Sequence, residues 1–562
     1  MLSVCLIFLY VLLTAYLTGF FVLIFIERFC TGRKGDGKQG HFFQIKSTEA
    51  CLFSGLAALT VYAQFFSLFY KVGFAANVIL IVFCFLVAVI YFKPLKEVIL
   101  RIYSGVGKGK IFFYIFLFFL FCYGTSRGIS HYDTALYHAQ SIRWIEEYGV
   151  VKGLGNLHCR LAYNSSAFSL SALFSFSFLG GQSYHCMAGF FALLLAKNCS
   201  KIGDAWKRRR MNLSDFARVM GIYYLLIIFD EMISPASDYF TVITIFYIVI
   251  SWLELLERKE ESWVPYGLLC LLGVYTMSLK LSAALVLLLV IKPAAMLIKE
   301  KNYRGIFSFL GLGILIILPY LLRNIIISGW LVYPFTVFDF FLVDWKIPKG
   351  IAQYDAKEIQ VWGRNVFDVA RYEDSFKLWF PAWFQSQQAM DRLFIAAGML
   401  SVPVWLISLC VGVIKRKAQW YDWLLVAGTV DLSFLFWLLS APLIRYGCVY
   451  VWLAPAVTFA GLCIYLIKNK VFWRLLYVAV CLLACYKLLA FGLESRNSFT
   501  KEYFINQKDY ENFETKEYEI SGHIFYNALQ GDRTGYNDFP SSPVEADIVL
   551  RGDSLKEGFS HK

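Results

Sequence analysis

Long apolar runs recur along almost the whole chain, and they limit the fold more than any other feature. A helix needs about 20 mostly apolar residues to cross the hydrocarbon core of a bilayer. Runs of this kind alternate here with short segments that carry lysine and arginine. The chain of 562 residues is 59% hydrophobic and 17% charged, whereas a soluble domain has about 25% charged residues. The sequence therefore predicts an all-α polytopic membrane protein.

The apolar runs predict about fourteen transmembrane helices. The predicted spans are residues 2–27, 48–70, 74–92, 111–124, 183–196, 214–229 and 238–255, two short spans within 263–298, one span that ends at Arg323, and residues 389–413, 420–439, 446–467 and 471–490. A further apolar segment, 165–179, is followed by Gly180 and Gly181. A span there would place the basic residues 197–210 outside, so we expect an interfacial or re-entrant helix.

The basic residues cluster in short loops between the predicted spans. These loops are residues 28–47, 93–110, 197–213 and 414–419. Cytoplasmic loops of membrane proteins carry an excess of lysine and arginine, so these four should be cytoplasmic. The net charge of +13 is explained by the same loops. It does not indicate a nucleic-acid partner.

This orientation divides the chain into three parts. Residues 1–110 should form N-terminal transmembrane helices, and residues 111–490 a transmembrane core. Two large loops of that core, 125–182 and 325–388, should lie outside and bear surface helices. We call residues 125–182 the first outer loop and residues 325–388 the second outer loop. The polar tail 491–562 should also lie outside as a small appendage, because it contains no apolar run.

The first outer loop concentrates ionisable and aromatic residues between His131 and Asn164. Asp133 is the candidate catalytic base, because a carboxylate can accept the proton of an acceptor hydroxyl. The same aspartate is also suited to be the N-cap of a helix. A divalent cation, Mg²⁺ or Mn²⁺, bound by Asp133 with His131 and His138 is a third interpretation, beside ordinary interfacial histidines. The sequence establishes no cofactor.

Other ionisable residues are predicted on the outer side, each at the end or break of a different span: Asp238, Lys280, Arg323 and Arg445. Charged groups in or near a membrane are costly and often mark function. Arginine and lysine suit a phosphate or diphosphate. The alternatives are a helix cap for the aspartate, and cations that only extend to the interface or bond helix carbonyls.

The order of these segments resembles the GT-C superfamily of integral-membrane glycosyltransferases, which use polyprenyl-phosphate-linked sugars. The similar segments are HYDTALYHAQSIRWIEEYG with Asp133, SPASDYF with Asp238, TMSLKLSA with Lys280, LPYLLRNIIISGWLVYP with Arg323, Asn324 and Tyr333, and APLIRYG with Arg445. The resemblance covers roughly residues 111–460. The chain differs in having three additional spans before the acidic loop and no paired acid at Asp133. Its N-terminal half also resembles an uncharacterised family of bacterial multi-spanning envelope proteins with a similar YDTALYH segment.

The resemblance implies a GT-C-like helical bundle in a bacterial inner membrane, with its active face in the periplasm. It implies inverting transfer of a sugar from a polyprenyl-phosphate-linked donor to an envelope glycan or lipid acceptor. In this interpretation Asp133 and Asp238 are catalytic, and Asp133 is the base or an acceptor ligand. Lys280, Arg323 and Arg445 would bind the donor phosphate. The residues expected to bind substrate are His131, Tyr137, His138, Asn324 and Tyr333.

Two other functions remain open at this stage. An envelope polysaccharide polymerase or ligase would use a lipid-linked oligosaccharide as its donor. A transporter of lipid-linked glycans would line a path with the same charges, and should have ionisable residues at mid-depth in several spans. The predicted spans contain few such residues, and Asp431 is one of them.

Overall fold

The computed structural model describes residues 1–30, 48–208, 210–415 and 418–562. Most of the predicted cytoplasmic loop 28–47, and parts of those at 197–213 and 414–419, lie outside these residues. The described chain is mostly helical. Its α-helices are α1 (Leu2–Phe25), α2 (Thr48–Ser67), α3 (Phe74–Ile90), α4 (Phe92–Tyr103), α5 (Lys108–Ser126), α6 (Ala139–Glu147), α7 (Leu154–Leu157), α8 (Ser166–Leu173), α9 (Met187–Cys199), α10 (Gly203–Arg208), α11 (Leu213–Ile227), α12 (Ser237–Glu257), α13 (Trp263–Leu279), α14 (Ile291–Lys299), α15 (Tyr303–Ser328), α16 (Lys349–Gly363), α17 (Phe376–Ser386), α18 (Ala389–Ile414), α19 (Ala418–Leu439), α20 (Ile444–Leu466) and α21 (Lys470–Asn497).

Ten helical segments in the described residues are long and apolar enough to cross a membrane, so the chain is a multi-pass membrane protein. They are Leu2–Arg28, Thr48–Ser67, Lys108–Ser126, Ser237–Glu257, Leu281–Lys299, Tyr303–Ser328, Ala389–Ile414, Trp420–Leu439, Ile444–Leu466 and Lys470–Asn497. An eleventh is possible by the same criteria if α3 and α4, which are bent by 84° at their junction, form one span. Helices also occupy the other predicted spans, but α9, α11 and α13 have only 13, 15 and 17 residues.

Helix α12 lies near the centre of the bundle and packs against α9, α11, α13 and α20. Almost all of its side chains are buried. Helices α1 and α2 cross closely, because a Cβ at Gly19 or Gly55 would lie 1.8 Å from a backbone oxygen of the other helix. Small residues permit such close crossings in membranes. Helix α21, in contrast, buries only Trp473, as expected of a helix that faces lipid.

The predicted outer loops contain short helices, as the sequence suggested. The first outer loop includes α6, α7 and α8, and the second includes α16 and α17. The segment predicted as an interfacial or re-entrant helix forms α8 and a 3-10 turn at Ser177–Leu179. All eight residues of α8 are buried, and the helix packs against α2 and α6. It therefore lies inside the protein and not on its surface.

The C-terminal tail corrects the all-α prediction, because it contains β-strands. These are β1 (Thr515–Ile520), β2 (His523–Ala528), β3 (Ser541–Ser542), β4 (Ile548–Leu550) and β5 (Phe559–His561). β1 and β2 form an antiparallel hairpin with Thr515 opposite Ala528, and β2 pairs in parallel with β3. β4 and β5 form a separate antiparallel pair. The tail was expected to lack apolar segments, but β2 buries Phe525 and Ala528.

The tail packs tightly against the first outer loop. Arg143 of α6 donates to the carbonyls of Tyr536 and Asn537, at 2.7 and 2.6 Å. The Trp144 ring lies 4.7 Å from that of Phe539 and 5.8 Å from that of Phe559. These contacts join the first outer loop and the tail into one layer.

Candidate functional site

The position of Asp133 is set by contacts of the preceding residues with the turn between α11 and α12. Gly128 has φ +121°, and a Cβ there would lie 2.2 Å from the Asp230 carbonyl oxygen. The next amide, Ile129 N–H, donates to the same oxygen at 2.8 Å. The His131 amide donates to Ser234 Oγ at 2.6 Å. The loop is thereby held against this turn immediately before Asp133.

Three helix ends bring further charged residues to the same place. Asp238 is the second residue of α12, and Arg445 is the second residue of α20. Lys280 follows α13, where the backbone becomes extended (φ −156°, ψ 125°) before a 3-10 segment begins at Leu281. The break allows its side chain to meet Asp238 at the start of the neighbouring helix.

Arg445 lies between the two carboxylates. Its Nη2 donates to Asp133 Oδ2 at 2.8 Å, and its Nε lies 3.3 Å from Asp238 Oδ2. The Lys280 ammonium pairs with the other oxygen of Asp238 and lies 3.6 Å from the centroid of the Tyr446 ring. The sequence predicts that Asp133, Asp238, Lys280, Arg323 and Arg445 lie together on the outer side. The structure brings all of them together except Arg323, which bonds Asn164 and Ser67. The side chains of Arg445, Lys280 and Asp133 are partly exposed, at 24%, 23% and 17%, whereas Asp238 is buried.

His131 completes what we call the carboxylate–cation cluster: His131, Asp133, Asp238, Lys280 and Arg445. The His131 ring contacts the Arg445 guanidinium, and its Nδ1 lies 3.8 Å from Asp133 Oδ2. Burial and the neighbouring guanidinium both lower the pKa of His131, so the imidazole is neutral near pH 7. Burial would raise the pKa of Asp133, but Arg445, together with smaller contributions from other neighbouring cationic groups, holds this pKa below its ordinary value. Asp133 is therefore ionised.

The alternative roles considered for these residues are not seen in their contacts. Asp133 precedes a π-helical turn, Thr134–His138, but its side chain makes no capping hydrogen bond. Lys280 and Arg445 bond carboxylates instead of only extending to the interface. Within the described parts of the chain, no group of three or more His, Cys, Asp or Glu side chains is arranged to hold a metal ion.

Tyr137 and His138 are buried behind the cluster. Their rings lie 4.4 Å apart, and the edge of Tyr137 meets Tyr163 at 5.6 Å. Burial lowers the pKa of His138 to about 3, so this histidine stays neutral and is a poor base. Both residues support the loop that carries Asp133 and have little exposed surface for a substrate.

Arg323 and Asn324 belong to a different buried group. Arg323 donates to Asn164 Oδ1 at 3.0 Å and also bonds the Ser67 hydroxyl. Asn164 in turn donates to Asn324 Oδ1 at 2.9 Å. These bonds connect Asn164 of the first outer loop with α15, and α15 with α2. In the part of the chain that the structure describes, no hydrogen bond or ion pair joins Arg323 to the carboxylate–cation cluster.

Tyr333 also makes a structural connection. Its hydroxyl donates to Asp355 Oδ2 at 2.9 Å, and the Tyr163 hydroxyl donates to Oδ1 of the same carboxylate at 2.8 Å. Asp355 is buried in α16, so these bonds hold the second outer loop against the first. Sequence reasoning did not identify Asp355, Asn164 or Tyr446. A polar helix such as KGIAQYDAKEIQVWG gives no indication of which of its acids is buried.

A family model described as "Domain of unknown function (DUF8201)" matches residues 1–452. The chain belongs to this family. The DUF8201 region includes the whole carboxylate–cation cluster, from His131 to Arg445, and both outer loops. The strands of the tail lie after it. No curated protein and no solved structure matches the chain.

Proposed function

We propose that this DUF8201 protein is an inverting membrane glycosyltransferase. It would transfer a sugar from a polyprenyl-phosphate-linked donor to an envelope glycan or lipid acceptor on the periplasmic side of a bacterial inner membrane. The observation that supports the proposal is the pairing of Asp133 with Arg445, and of Asp238 with Arg445 and Lys280, in one cluster at helix ends. Such a cluster offers a base and anion-binding groups within a few ångströms of each other.

The two cations suit the donor phosphate. The Arg445 guanidinium can bind two phosphate oxygens in its plane, and Lys280 adds a compact positive charge. Both cations are paired with carboxylates in the free protein. A phosphate anchored by its polyprenyl tail in the outer leaflet would compete for them. The negative charge that develops on the leaving phosphate is stabilised by the same groups.

The competition has a consequence for the base. Arg445 holds the pKa of Asp133 low, which makes this carboxylate a weak base in the free protein. When Arg445 turns to the phosphate, burial of Asp133 raises its pKa and strengthens it as a base. Donor binding therefore activates Asp133.

The reaction then follows in one displacement. The acceptor hydroxyl oxygen forms a bond to C1 of the sugar while the bond between C1 and the phosphate oxygen breaks. The proton of the hydroxyl passes to Asp133, and the electron pair leaves with the phosphate, which stays on its lipid. Because the attack and departure occur on opposite faces of C1, the anomeric configuration inverts. Asp238 holds Lys280 and Arg445 in place.

Asp431 offers no support for the transporter alternative. This mid-span carboxylate accepts hydrogen bonds from Ser401 Oγ at 2.6 Å and Thr458 Oγ1 at 2.8 Å, which connect α18, α19 and α20. These bonds give it a packing role. A polymerase or ligase would use the same chemistry with a lipid-linked oligosaccharide as donor. The two alternatives differ in the size of the transferred group, which is one sugar for the glycosyltransferase and an oligosaccharide for the polymerase or ligase.

The proposal is tested by mass spectrometry of envelope glycans and lipid-linked sugars from cells with and without the intact protein. Loss of the protein should remove one sugar from a glycan or lipid and leave its lipid-linked donor to accumulate. Restoring the wild-type chain should reverse both changes, whereas Asp133→Asn should reverse neither. Asp374→Asn is the matched control, because Asp374 is a partly exposed aspartate that pairs with its neighbour Arg371. Identical glycan and lipid profiles in all these cells would refute the proposal.

A further inference from the structure

The second outer loop contains a groove that is separate from the carboxylate–cation cluster. It lies between α16 and the 3-10 segment Val369–Glu373, and its volume is about 600 Å³. Ligand pockets of roughly 300 to 1,000 Å³ are typical for small organic molecules. The groove is therefore large enough for a short oligosaccharide.

Three aromatic rings line the groove and remain accessible: Tyr354, Trp362 and Phe367. Their exposed fractions are 57%, 36% and 77%. Aromatic faces pack against the C–H faces of sugar rings, because both surfaces are flat and only weakly polar. Tyrosine and tryptophan provide such contact area with few rotatable bonds.

Polar side chains lie between the rings, as recognition of sugar hydroxyls requires. Gln353, Lys357 and Asp368 line the groove with the aromatics. Asp368 Oδ1 accepts a hydrogen bond from the Ala370 amide at 2.9 Å, which fixes the carboxylate at the edge of the groove. A purely interfacial aromatic belt would not need this mixture of charged and amide groups. The lining therefore favours a polar ligand with flat apolar faces.

One wall of the groove is held rigid by the first outer loop. The Arg160 guanidinium lies 4.6 Å from the centroid of the Trp362 ring and 3.4 Å from a carboxylate oxygen of Glu358. Asp355, on the same helix, is held by Tyr163 and Tyr333. Binding to a rigid wall costs less conformational entropy than binding to a mobile one.

We propose that this groove binds a glycan chain, with the sugar rings stacked on Tyr354, Trp362 and Phe367. The identity of the bound glycan rests on the proposed function: it is the acceptor of the transferred sugar or the extended product. Arg160 and Tyr163 belong to the loop that carries Asp133, so the groove and the cluster are connected through one segment. Binding itself does not depend on catalysis.

The test measures glycan binding to the full-length protein in lipid nanodiscs by saturation-transfer NMR and by titration. The probes are maltotriose, cellotriose, chitotriose and the oligosaccharides released by mild acid from the envelope of the native cells. The wild-type protein should bind at least one of them. Tyr354→Ala and Phe367→Ala should each weaken this binding roughly tenfold, as loss of one aromatic contact implies.

Phe340→Ala is the matched control, because Phe340 is an exposed aromatic of the same loop that does not line the groove. It should bind like the wild type. Asp133→Asn should also bind the glycan normally. Loss of binding in that variant would show that the glycan binds at the carboxylate–cation cluster, and it would overturn the proposal. Absence of binding by any probe, or equal binding by all variants, would overturn it as well. Groove binding that persists without any sugar transfer would refute only the proposed function.

Discussion

Two networks of charged side chains lie in different parts of this protein and differ in how exposed their aspartates are. The inner network consists of Lys201, Arg208, Asp215, Arg218 and Glu254, on the predicted cytoplasmic side. The outer one is the carboxylate–cation cluster. Both contain two carboxylates and at least two cations. The presence of paired charges therefore does not by itself distinguish a functional site from a structural ion-pair network.

The aspartate of the inner network is committed to structure. Asp215 has no exposed surface, pairs with Arg208 and Arg218 at 2.6 Å each, and accepts a capping bond from the Asn212 amide. Glu254 bonds Arg218 as well. In the outer cluster the Arg445 side chain is 24% exposed, against 4% for Arg218. Lys201, Arg208 and Glu254 of the inner network are also accessible, at 32%, 38% and 20%, so accessible charges alone do not mark the site. The comparison teaches that a general base must itself be accessible: Asp133 is 17% exposed beside a neutral histidine, whereas Asp215 is fully buried.

The largest expected effect is on the rate of sugar transfer in Asp133→Asn. Removing a general base costs about a hundred- to ten-thousand-fold in rate. The amide keeps the shape of the carboxylate, so the amount of folded protein in the membrane should not change. Transfer to a defined acceptor by purified enzyme is the measurement. A rate within a factor of three of wild type would show that Asp133 is not the base. The outer cluster would then have no more claim to a catalytic role than the inner network.

Asp215→Ala should have the next largest effect, but on stability. The substitution leaves two guanidinium groups without their buried partner, and breaking a buried pair in this way costs about 3–5 kcal/mol. Transfer per folded molecule should stay unchanged. Asp204→Ala, which removes an exposed pair with Lys110, should cost less than about 1 kcal/mol. Unfolding in graded detergent mixtures measures both, and similar losses for the two variants would contradict a structural role specific to Asp215.

Arg445→Lys tests the fork that joins the two carboxylates. Lysine retains the charge but cannot bond Asp133 and Asp238 together, so the donor KM should rise roughly tenfold. The pH profile is the sharper measurement. Asp133 must be ionised to act as a base, so activity is lost as the pH falls through its pKa. Arg445 holds that pKa low, and the acidic limb of kcat/KM should therefore shift to higher pH in the variant. An acidic limb of kcat/KM at the same pH as in the wild type would show that Arg445 does not set the pKa of the catalytic base.

The smallest expected effect concerns Glu146, a buried carboxyl at the contact between the first outer loop and the tail. It accepts hydrogen bonds from Ser183 and Tyr536, and no ion pair joins it to a cation in the described residues. Burial raises the pKa of Glu146 above its ordinary value. The folded contact therefore favours the protonated acid, and its stabilisation is present at low pH and is lost as the pH rises through the raised pKa.

Limited proteolysis of the tail across a pH series measures this contact. The tail of the wild type should become easier to cleave as the pH rises above the ordinary range of a glutamic acid. Glu146→Gln, which stays neutral, should show a flat profile, and Glu147→Gln is the adjacent control. A pH dependence that persists in Glu146→Gln would assign it to another group.

Sequence reasoning reached the membrane class and the convergence of Asp133, Asp238, Lys280 and Arg445. It did so because each of these residues is a costly charge at the end of an apolar run, and sidedness follows from the basic loops. The same reasoning placed Arg323 with them, although its contacts are with Asn164 and Ser67. The predicted side of the membrane gives the approximate depth of a residue in the bilayer. It does not indicate which side chains surround that residue in the plane of the membrane.

What the sequence by itself determined is the set of apolar helices, because the cost of burying an unpaired backbone in lipid permits few other structures. It also determined which ends of those helices carry charge. Only the tertiary structure decided that Arg445 lies between two carboxylates, that Asp355 is buried by two tyrosines, and that the tail forms strands over α6. These are contacts between segments separated by as many as about 400 residues. No local pattern encodes them, because they arise from how the helices pack around one another.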